Sequence, residues 1–164
     1  MSDIVAAAWA ALPHIIGLSL AVSLSAAAAA AAVGLPLGAA LAVYRFRGRA
    51  ALILLTNALL GLPPVVVGLA LYLLLSRSGP LGALGLLFTP AAMTLAQFLL
   101  ALPIIVALSH RAMVDVWETY GDDLLVSGVS RLRAIPHLLH IGQMDALTAS
   151  LAGFGRTVSE VGRS

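Results

Sequence analysis

Three long stretches of this sequence contain no charged side chain, and they cover residues 4–44, 50–76 and 78–110. About 20 consecutive apolar residues are enough for a helix to cross the roughly 30 Å hydrocarbon core of a bilayer. Hydrophobic residues make up 61% of the 164 residues and charged residues only 10%, against roughly 25% charged in a typical soluble domain. A soluble chain of this size could not bury three such stretches. We therefore predict an all-α integral membrane protein.

The residue types that are missing exclude several kinds of chemistry. Without cysteine there is no disulfide and no thiolate metal site. Without lysine the phosphate-binding loop G-x-x-x-x-G-K-[ST] cannot form, and neither a G-x-S-x-G elbow nor an H-E-x-x-H motif occurs. The four histidines show no metal-ligand spacing with carboxylates. We therefore predict no catalytic residue, metal or cofactor. We also predict no nucleic-acid partner, because the basic isoelectric point results from very few charged residues.

Hydropathy and proline positions predict where the chain crosses the membrane. Pro63 and Pro64 interrupt the second crossing, and Thr89 followed by Pro90 is a typical helix start, with a capping hydroxyl and proline at the first helical position. The first crossing is long and must tilt, kink at Pro36 or project beyond the bilayer. The last one is short and incomplete. The predicted spans are residues 13–44, 50–76, 90–109 and 143–162.

The arginines predict the orientation of these spans. Only Arg77 falls on one side of the predicted membrane. By the positive-inside rule the opposite side is cytoplasmic, so the N-terminus and residues 78–88 are predicted outside a cell membrane. The arginines on the cytoplasmic side are Arg45, Arg47, Arg49, Arg111, Arg131 and Arg133.

A charged insert, residues 111–136, separates the third and fourth spans. Four apolar residues could share one face of a short helix there, while Asp122 and Asp123 lie on another face. Such a helix can lie on the bilayer surface or place its apolar face in a groove on a partner. The sequence pattern alone leaves both uses open. The four apolar residues are Leu124, Leu125, Val129 and Leu132.

Within this insert, Asp122-Asp123-Leu124 followed by Gly128 resembles the EAA loop of ABC-importer permeases. Asp122 takes the acidic place and Gly128 the glycine, whereas Asp123 and Leu124 replace the usual alanines. Other segments extend the resemblance over nearly the whole chain, to the permease subunit of tungstate-type importers and their molybdate and sulfate relatives. These segments are residues 61–68 (GLPPVVVG), 97–98 (QF), 130–134 (SRLRA) and 153–162 (GFGRTVSEVG).

The resemblance implies a type I ABC-importer permease: a helix bundle of about four transmembrane helices, with a cytoplasmic coupling helix around residues 121–128. Its implied partners are a second permease copy in a homodimer, membrane lipid, a cytoplasmic ABC ATPase that uses the ATP, and an external oxyanion-binding protein. Asp122, Asp123, Leu124 and Gly128 would transmit the motion of the ATPase. The family continues beyond the position of Gly162 with further membrane helix. We therefore expect a C-terminally truncated form that inserts but does not transport.

Four residues are candidates for the path of an anion. Arg156 and Glu160 lie four apart, on one helical face, and ionisable residues within a bilayer suggest function. The alternative is a pair at a helix end near the outer surface. Pro63 and Pro64 could unwind the second span and turn backbone N–H groups toward an anion, or they could form a simple kink. Gln97 is interpreted as an interhelical hydrogen-bonding residue and not a ligand.

A different function fits the same residues. A small membrane scaffold or regulatory protein could dock a cytoplasmic partner through a helix at 117–133 without transporting anything. A stand-alone secondary carrier is disfavoured, because such carriers usually contain internal repeats and we find none here. Tungstate, molybdate and sulfate share charge and shape, so the residues alone do not identify the anion.

Overall fold

A computed structural model describes residues 2–161, except for the side chains of residues 2–12, 14, 160 and 161. Within this range the chain is helical, with connections of a few residues and one longer loop that contains the 3-10 turn Gly82–Leu84. The α-helices are α1 (Ser2–Val43), α2 (Arg49–Leu60), α3 (Pro64–Leu75), α4 (Pro90–Val126), α5 (Arg131–Ile141) and α6 (Gln143–Val161).

Helices α1 and α4 form the centre of the bundle and run in the same direction. Ala30 packs in one buried cluster with Ala101, and Val43 packs in another with Met113. Because residue numbers rise together along the contact, the two helices are parallel. The segment between them must therefore return across the bundle before α4 begins, which agrees with the predicted alternation of spans.

The returning segment consists of α2 and α3. Arg49, at the start of α2, reaches His110 on α4, whereas Gly68 of α3 shares a cavity with Gln97, nearer the start of α4. The segment thus runs antiparallel to α4. By length and composition, Ile15–Val43 and α4 can each span a membrane, and α2 with α3 makes a further candidate span among the described residues.

The second predicted span is not one straight helix, because α2 and α3 meet at an angle of 105°. Neither Pro63 nor Pro64 carries the N–H that an α-helical bond needs, and Pro64 forces the residue before it out of the helical region. Pro63 accordingly has the extended dihedral angles φ −63° and ψ 136°. Residues 50–76 therefore form two helices of 12 residues each.

Helix α4 begins where the sequence predicts and ends later. Thr89 is its N-cap and accepts a hydrogen bond from the Ala92 N–H at 3.4 Å. The predicted span ends at residue 109, but the helix continues through His110 to Val126. The bilayer limits how long the apolar part of a helix can be, but a helix can continue beyond the bilayer. The charged last turns of α4 therefore extend past its apolar segment. The first crossing differs similarly: α1 begins at Ser2, and Pro13 lies inside it.

Helix α6 runs antiparallel to α4 and completes the bundle. Gly142, just before α6, faces Met113, whereas Gly153 faces Ile105, so residue numbers rise along one helix as they fall along the other. Helix α5 lies across the end of the bundle, where Leu138 packs into the cluster around Met113. Residues 143–161 of the predicted fourth span form α6, but this helix is not among the candidate membrane spans of the described residues, so a fourth crossing stays a prediction.

Candidate functional site

The turn after α4 contains the residues that resemble the EAA loop. The Val129 N–H bonds to the Leu124 carbonyl and the Gly128 N–H bonds to the Leu125 carbonyl, both at 3.0 Å. These two bonds define a Schellman motif, which requires a left-handed residue at the position of the glycine. Gly128 has φ +81°. The backbone conformation therefore explains why a glycine occupies this position. Gly128 ends α4 and redirects the chain.

The predicted coupling helix is therefore divided. Asp122, Asp123 and Leu124 belong to the last turns of α4, and Gly128 lies in the turn before α5. For the same reason residues 117–133 do not form one helix. The described part of the chain has a helix–turn–helix corner at this point, and not a separate short helix.

The side chains around this corner divide into a packed set and an exposed set. Leu124 is half-buried and packs against the cluster around Met113, so it anchors the corner to the bundle. Asp122 and Asp123 are exposed. Val126 is 89% exposed and Leu132 is 68% exposed. We use the name exposed corner for the exposed apolar pair Val126 and Leu132, together with Asp122 and Asp123, which precede Val126 in the chain.

A second region of interest is a cavity of about 640 Å³ where α3 approaches α1 and α4. Pro64 lines it, whereas Pro63 is not among its lining residues. Gln97 also lines the cavity and is only 6% exposed, and its side-chain oxygen has no hydrogen-bond partner among the described residues. The structure therefore places one predicted path residue, Pro64, beside Gln97.

The other two predicted path residues lie elsewhere. Arg156 is half-buried on α6, about one turn beyond Gly153, and is not among the residues that line the cavity. The side chain of Glu160 lies outside the described residues. The structure does not bring Arg156 together with Pro63 and Pro64.

Sequence reasoning missed a set of polar contacts that joins α1, α2 and α4, which we call the polar clasp. Arg49 donates to the Leu41 carbonyl through Nε at 2.6 Å and to His110 Nε2 through Nη2 at 3.3 Å. Arg111 donates to Asn57 Oδ1 at 3.4 Å. A guanidinium has only donors, so His110 accepts through Nε2 and carries its proton on Nδ1. No sequence signal pairs residues 61 positions apart.

No family model matches the chain, but three curated relatives do. It is 40% identical over 117 residues, 71% of its length, to the "probable anion ABC transporter permease protein" of Haloferax volcanii. It is 34% identical over 73% of its length to the tungstate uptake system permease protein TupB of Campylobacter jejuni. It is 36% identical over 64% of its length to the TupB protein of Peptoclostridium acidaminophilum. The aligned part covers 50%, 50% and 46% of these relatives, so the chain spans about half their length.

Proposed function

We propose that this chain, a homologue of anion and tungstate ABC transporter permeases, is a membrane-spanning permease subunit for oxyanion import, with tungstate as the first candidate substrate. The observation that carries the proposal is the identity of 34–40% to three such permeases, over 64–73% of the chain. The helical bundle with its membrane-capable helices agrees with it.

In this proposal the ATP is hydrolysed by a separate cytoplasmic ATPase, which binds the exposed corner. An exposed valine and leucine at a rigid turn offer apolar surface to a partner, and the fully buried part of a protein interface is more apolar than its rim. The turn is held by the Schellman motif at Gly128, and Leu124 ties it to α1 and α4 through the cluster around Met113. Movement of the ATPase would therefore pass directly to the central helices.

The proposed assembly also contains an external oxyanion-binding protein, a second permease copy and surrounding lipid. Exposed apolar side chains on α2 and α3, such as Leu54 and Val65, are suited to contact with lipid or with the second copy. An external binding protein would select the anion. The permease then needs only to pass a tetrahedral oxyanion inward.

The central test is uptake. A permease that contains this chain, assembled with its ATPase and binding protein in proteoliposomes, should accumulate radiolabelled tungstate only when ATP is supplied. Excess unlabelled molybdate or sulfate tests the choice of anion. If the ATPase binds but no oxyanion accumulates, the scaffold function described above replaces transport.

A substitution at the exposed corner tests whether ATP hydrolysis is coupled to uptake there. Val126→Glu should reduce ATP-dependent uptake about tenfold or more, because burying an unpaired carboxylate in an apolar contact costs more than the roughly 1.4 kcal/mol that a tenfold change requires. Folding should be unaffected, since this side chain is almost fully exposed. The matched control is Met144→Glu, at another exposed apolar position near α5, and it should transport normally. Normal uptake by the Val126→Glu protein would contradict docking through this corner.

The proposed orientation places the loop between α1 and α2 on the cytoplasmic side and the loop before α4 outside. Single cysteines can be introduced at exposed positions, because the chain has none. In intact cells an impermeant thiol reagent should label Leu84→Cys, whereas Arg47→Cys should be labelled only after permeabilisation. The opposite pattern would reverse the orientation.

A further inference from the structure

A small pocket lies between α2 and α4 beside the polar clasp, and we call it the clasp pocket. Its volume is about 140 Å³, and four polar side chains line it together with apolar ones from α1, α2 and α4. One water molecule needs roughly 10–15 Å³ of such space, so the pocket admits a group as large as a phosphate. The polar lining residues are Thr56, Asn57, His110 and Arg111.

The charge at this pocket is positive. Arg111 lines it, and Arg49 Nη2 lies 3.3 Å from Nε2 of His110, another lining residue. No carboxylate of the described side chains lines the pocket, and Asp115, further along α4, is not part of it. Arg111 makes one hydrogen bond among the described residues, to Asn57 at 3.4 Å, whereas a guanidinium has five N–H donors. The remaining donors and the positive charge suit a phosphate group.

An apolar groove adjoins the clasp pocket and continues between α1, α2 and α4. Its volume is about 320 Å³, and Leu41, Thr56 and Val106 line both the groove and the pocket. Apart from Thr56, the described residues that line the groove are apolar. The pocket and the groove thus form one cleft that is cationic at one end and apolar along the rest. The residues that line the groove alone are Leu37, Leu52, Leu59, Leu99, Leu102 and Pro103.

The length and depth of this cleft match one half of a bilayer. It extends along α4 from Leu99 to Arg111, about 18 Å at a rise of about 1.5 Å per residue. Half of the hydrocarbon core measures about 15 Å. Arg111 directly follows the charge-free residues 78–110, and Arg49 directly precedes the charge-free residues 50–76, so both arginines lie at one membrane boundary. The groove then reaches from that boundary to about the middle of the membrane.

We propose that the cleft binds one anionic phospholipid, with its phosphate group in the clasp pocket and an acyl chain in the apolar groove. Basic pockets between transmembrane helices bind the head groups of anionic lipids in this way. A free phosphate or oxyanion would leave the apolar groove empty, whereas the lipid fills both parts and contacts α1, α2 and α4 together. This inference goes beyond the proposed function, because it requires only that the chain lies in a membrane.

A tryptophan placed in the apolar groove reports which lipid lies there. Leu59 lines the groove and is 38% exposed, and acyl chains that carry bromine quench tryptophan fluorescence on contact. The Leu59→Trp protein is placed in phosphatidylcholine vesicles that contain a small share of either brominated phosphatidylglycerol or brominated phosphatidylcholine. At equal shares the brominated phosphatidylglycerol should quench several-fold more. Leu52→Trp repeats the measurement at a second groove position, and the unsubstituted protein, with two native tryptophans, gives the background.

Substitution of Arg111 tests the cationic end of the cleft. In the Leu59→Trp protein, Arg111→Gln should lower the preference for phosphatidylglycerol about fivefold, the factor that corresponds to one arginine near anionic lipid. Arg111→Lys keeps the charge and should retain most of the preference. Arg47→Gln is the matched control, because Arg47 is exposed in the loop at the same membrane boundary and lines neither the pocket nor the groove. It should leave the preference unchanged.

A tryptophan outside the groove separates specific binding from general contact with lipid. Leu54 lies on α2, is 71% exposed and does not line the groove, so Leu54→Trp should be quenched equally by the two brominated lipids. Equal quenching of Leu59→Trp by both lipids would overturn the inference. Quenching of Leu54→Trp but not of Leu59→Trp by either lipid would also overturn it, because protein such as a second copy then covers the groove.

Two further outcomes decide whether the head group is recognised. A preference that survives Arg111→Gln, or that falls equally in Arg47→Gln, would show general surface charge and contradict a specific site. Excess inorganic phosphate, added at constant ionic strength, should not displace the brominated phosphatidylglycerol. If it does, the clasp pocket binds a free anion and the assignment to a lipid fails. None of these measurements depends on oxyanion uptake, so the proposed function stands or falls separately.

Discussion

The helices α1, α4 and α6 differ sharply in packing from the pair α2 and α3. In the first group small residues let the backbones approach closely. A Cβ at Gly38 would lie 2.6 Å from Ser109 Cβ and 2.8 Å from the backbone nitrogen of His110. In the second group α2 has no buried residue, and in α3 only Leu71 and Leu75 are buried. We call the first group the core and the second the arm.

The difference follows from what drives helices together in lipid. Lipid tails are as apolar as leucine, so leucine-rich faces gain little from contact with one another, whereas small residues allow close van der Waals packing. The core has the alanine run 26–32 and glycines at its contacts. The arm has mainly leucine and valine, and Val65 is 79% exposed. Close packing thus stabilises the core, whereas the position of the arm depends on the polar clasp and on the lipid or protein around it.

The largest expected effect is that the same Gly→Ala substitution destabilises the core and stabilises the arm. Gly38→Ala should destabilise the protein by about 1–3 kcal/mol, because the new methyl group overlaps backbone and side-chain atoms of α4. Gly68→Ala in the arm should stabilise it by up to about 1 kcal/mol, since alanine is the better helix former and the space is open. Thermal unfolding in detergent measures both. A similar fall for the two variants would remove the distinction between core and arm.

A smaller effect is expected at the polar clasp, which joins the arm to the core. Arg49→Met removes the bonds to the Leu41 carbonyl and to His110, and should cost about 1 kcal/mol because the group is only partly buried. The arm should then separate from α4 more often. A cysteine introduced as Ile53→Cys, in the cavity between α2 and α4, should react several-fold faster with a maleimide when Arg49 is replaced.

The control for this prediction is Arg47→Met, which changes an exposed arginine in the same loop. It should alter neither the unfolding temperature nor the reaction rate of the introduced thiol. An unchanged rate in the Arg49→Met protein would show that the arm is held by packing and that the clasp contributes little.

The sequence predicted the core better than the arm. Charge-free stretches and the Thr89-Pro90 start depend on local residues, and they led to the right start for α4, whereas α1 begins at Ser2 and not at residue 13. The parallel α1 and α4 agree with spans that alternate in direction. The double proline predicted a break at Pro63, but an angle of 105° depends on how each half packs. Contacts such as Arg49 with His110 join distant residues, so no local pattern contains them.

The same limit applies to the candidate sites. Gly128 was identified by resemblance, and its φ angle then showed why glycine is needed there. Gln97 was interpreted as an interhelical hydrogen-bonding residue, since a lone glutamine in an apolar helix usually pairs with a neighbour. Only the packing of the helices reveals that Gln97 is buried and that its side-chain oxygen has no hydrogen-bond partner among the described residues. Burial and hydrogen-bond satisfaction are properties of the folded bundle and not of the chain.

The smallest expected effect compares two hydroxyl groups, one in the core and one in the arm. Ser109 is fully buried and donates to the Leu35 carbonyl of α1 at 3.0 Å, so its bond joins two helices. Thr56 of α2 donates to the Leu52 carbonyl of its own helix at 2.8 Å. Ser109→Ala should cost about 0.6 kcal/mol, the typical value for an interhelical hydrogen bond in a membrane protein. Thr56→Val should cost less, because the Thr56 hydroxyl bonds within its own helix and joins no second helix. If the two variants unfold at the same temperature, the hydroxyl of Ser109 adds nothing to the core, and close packing at Gly38 alone holds α1 against α4.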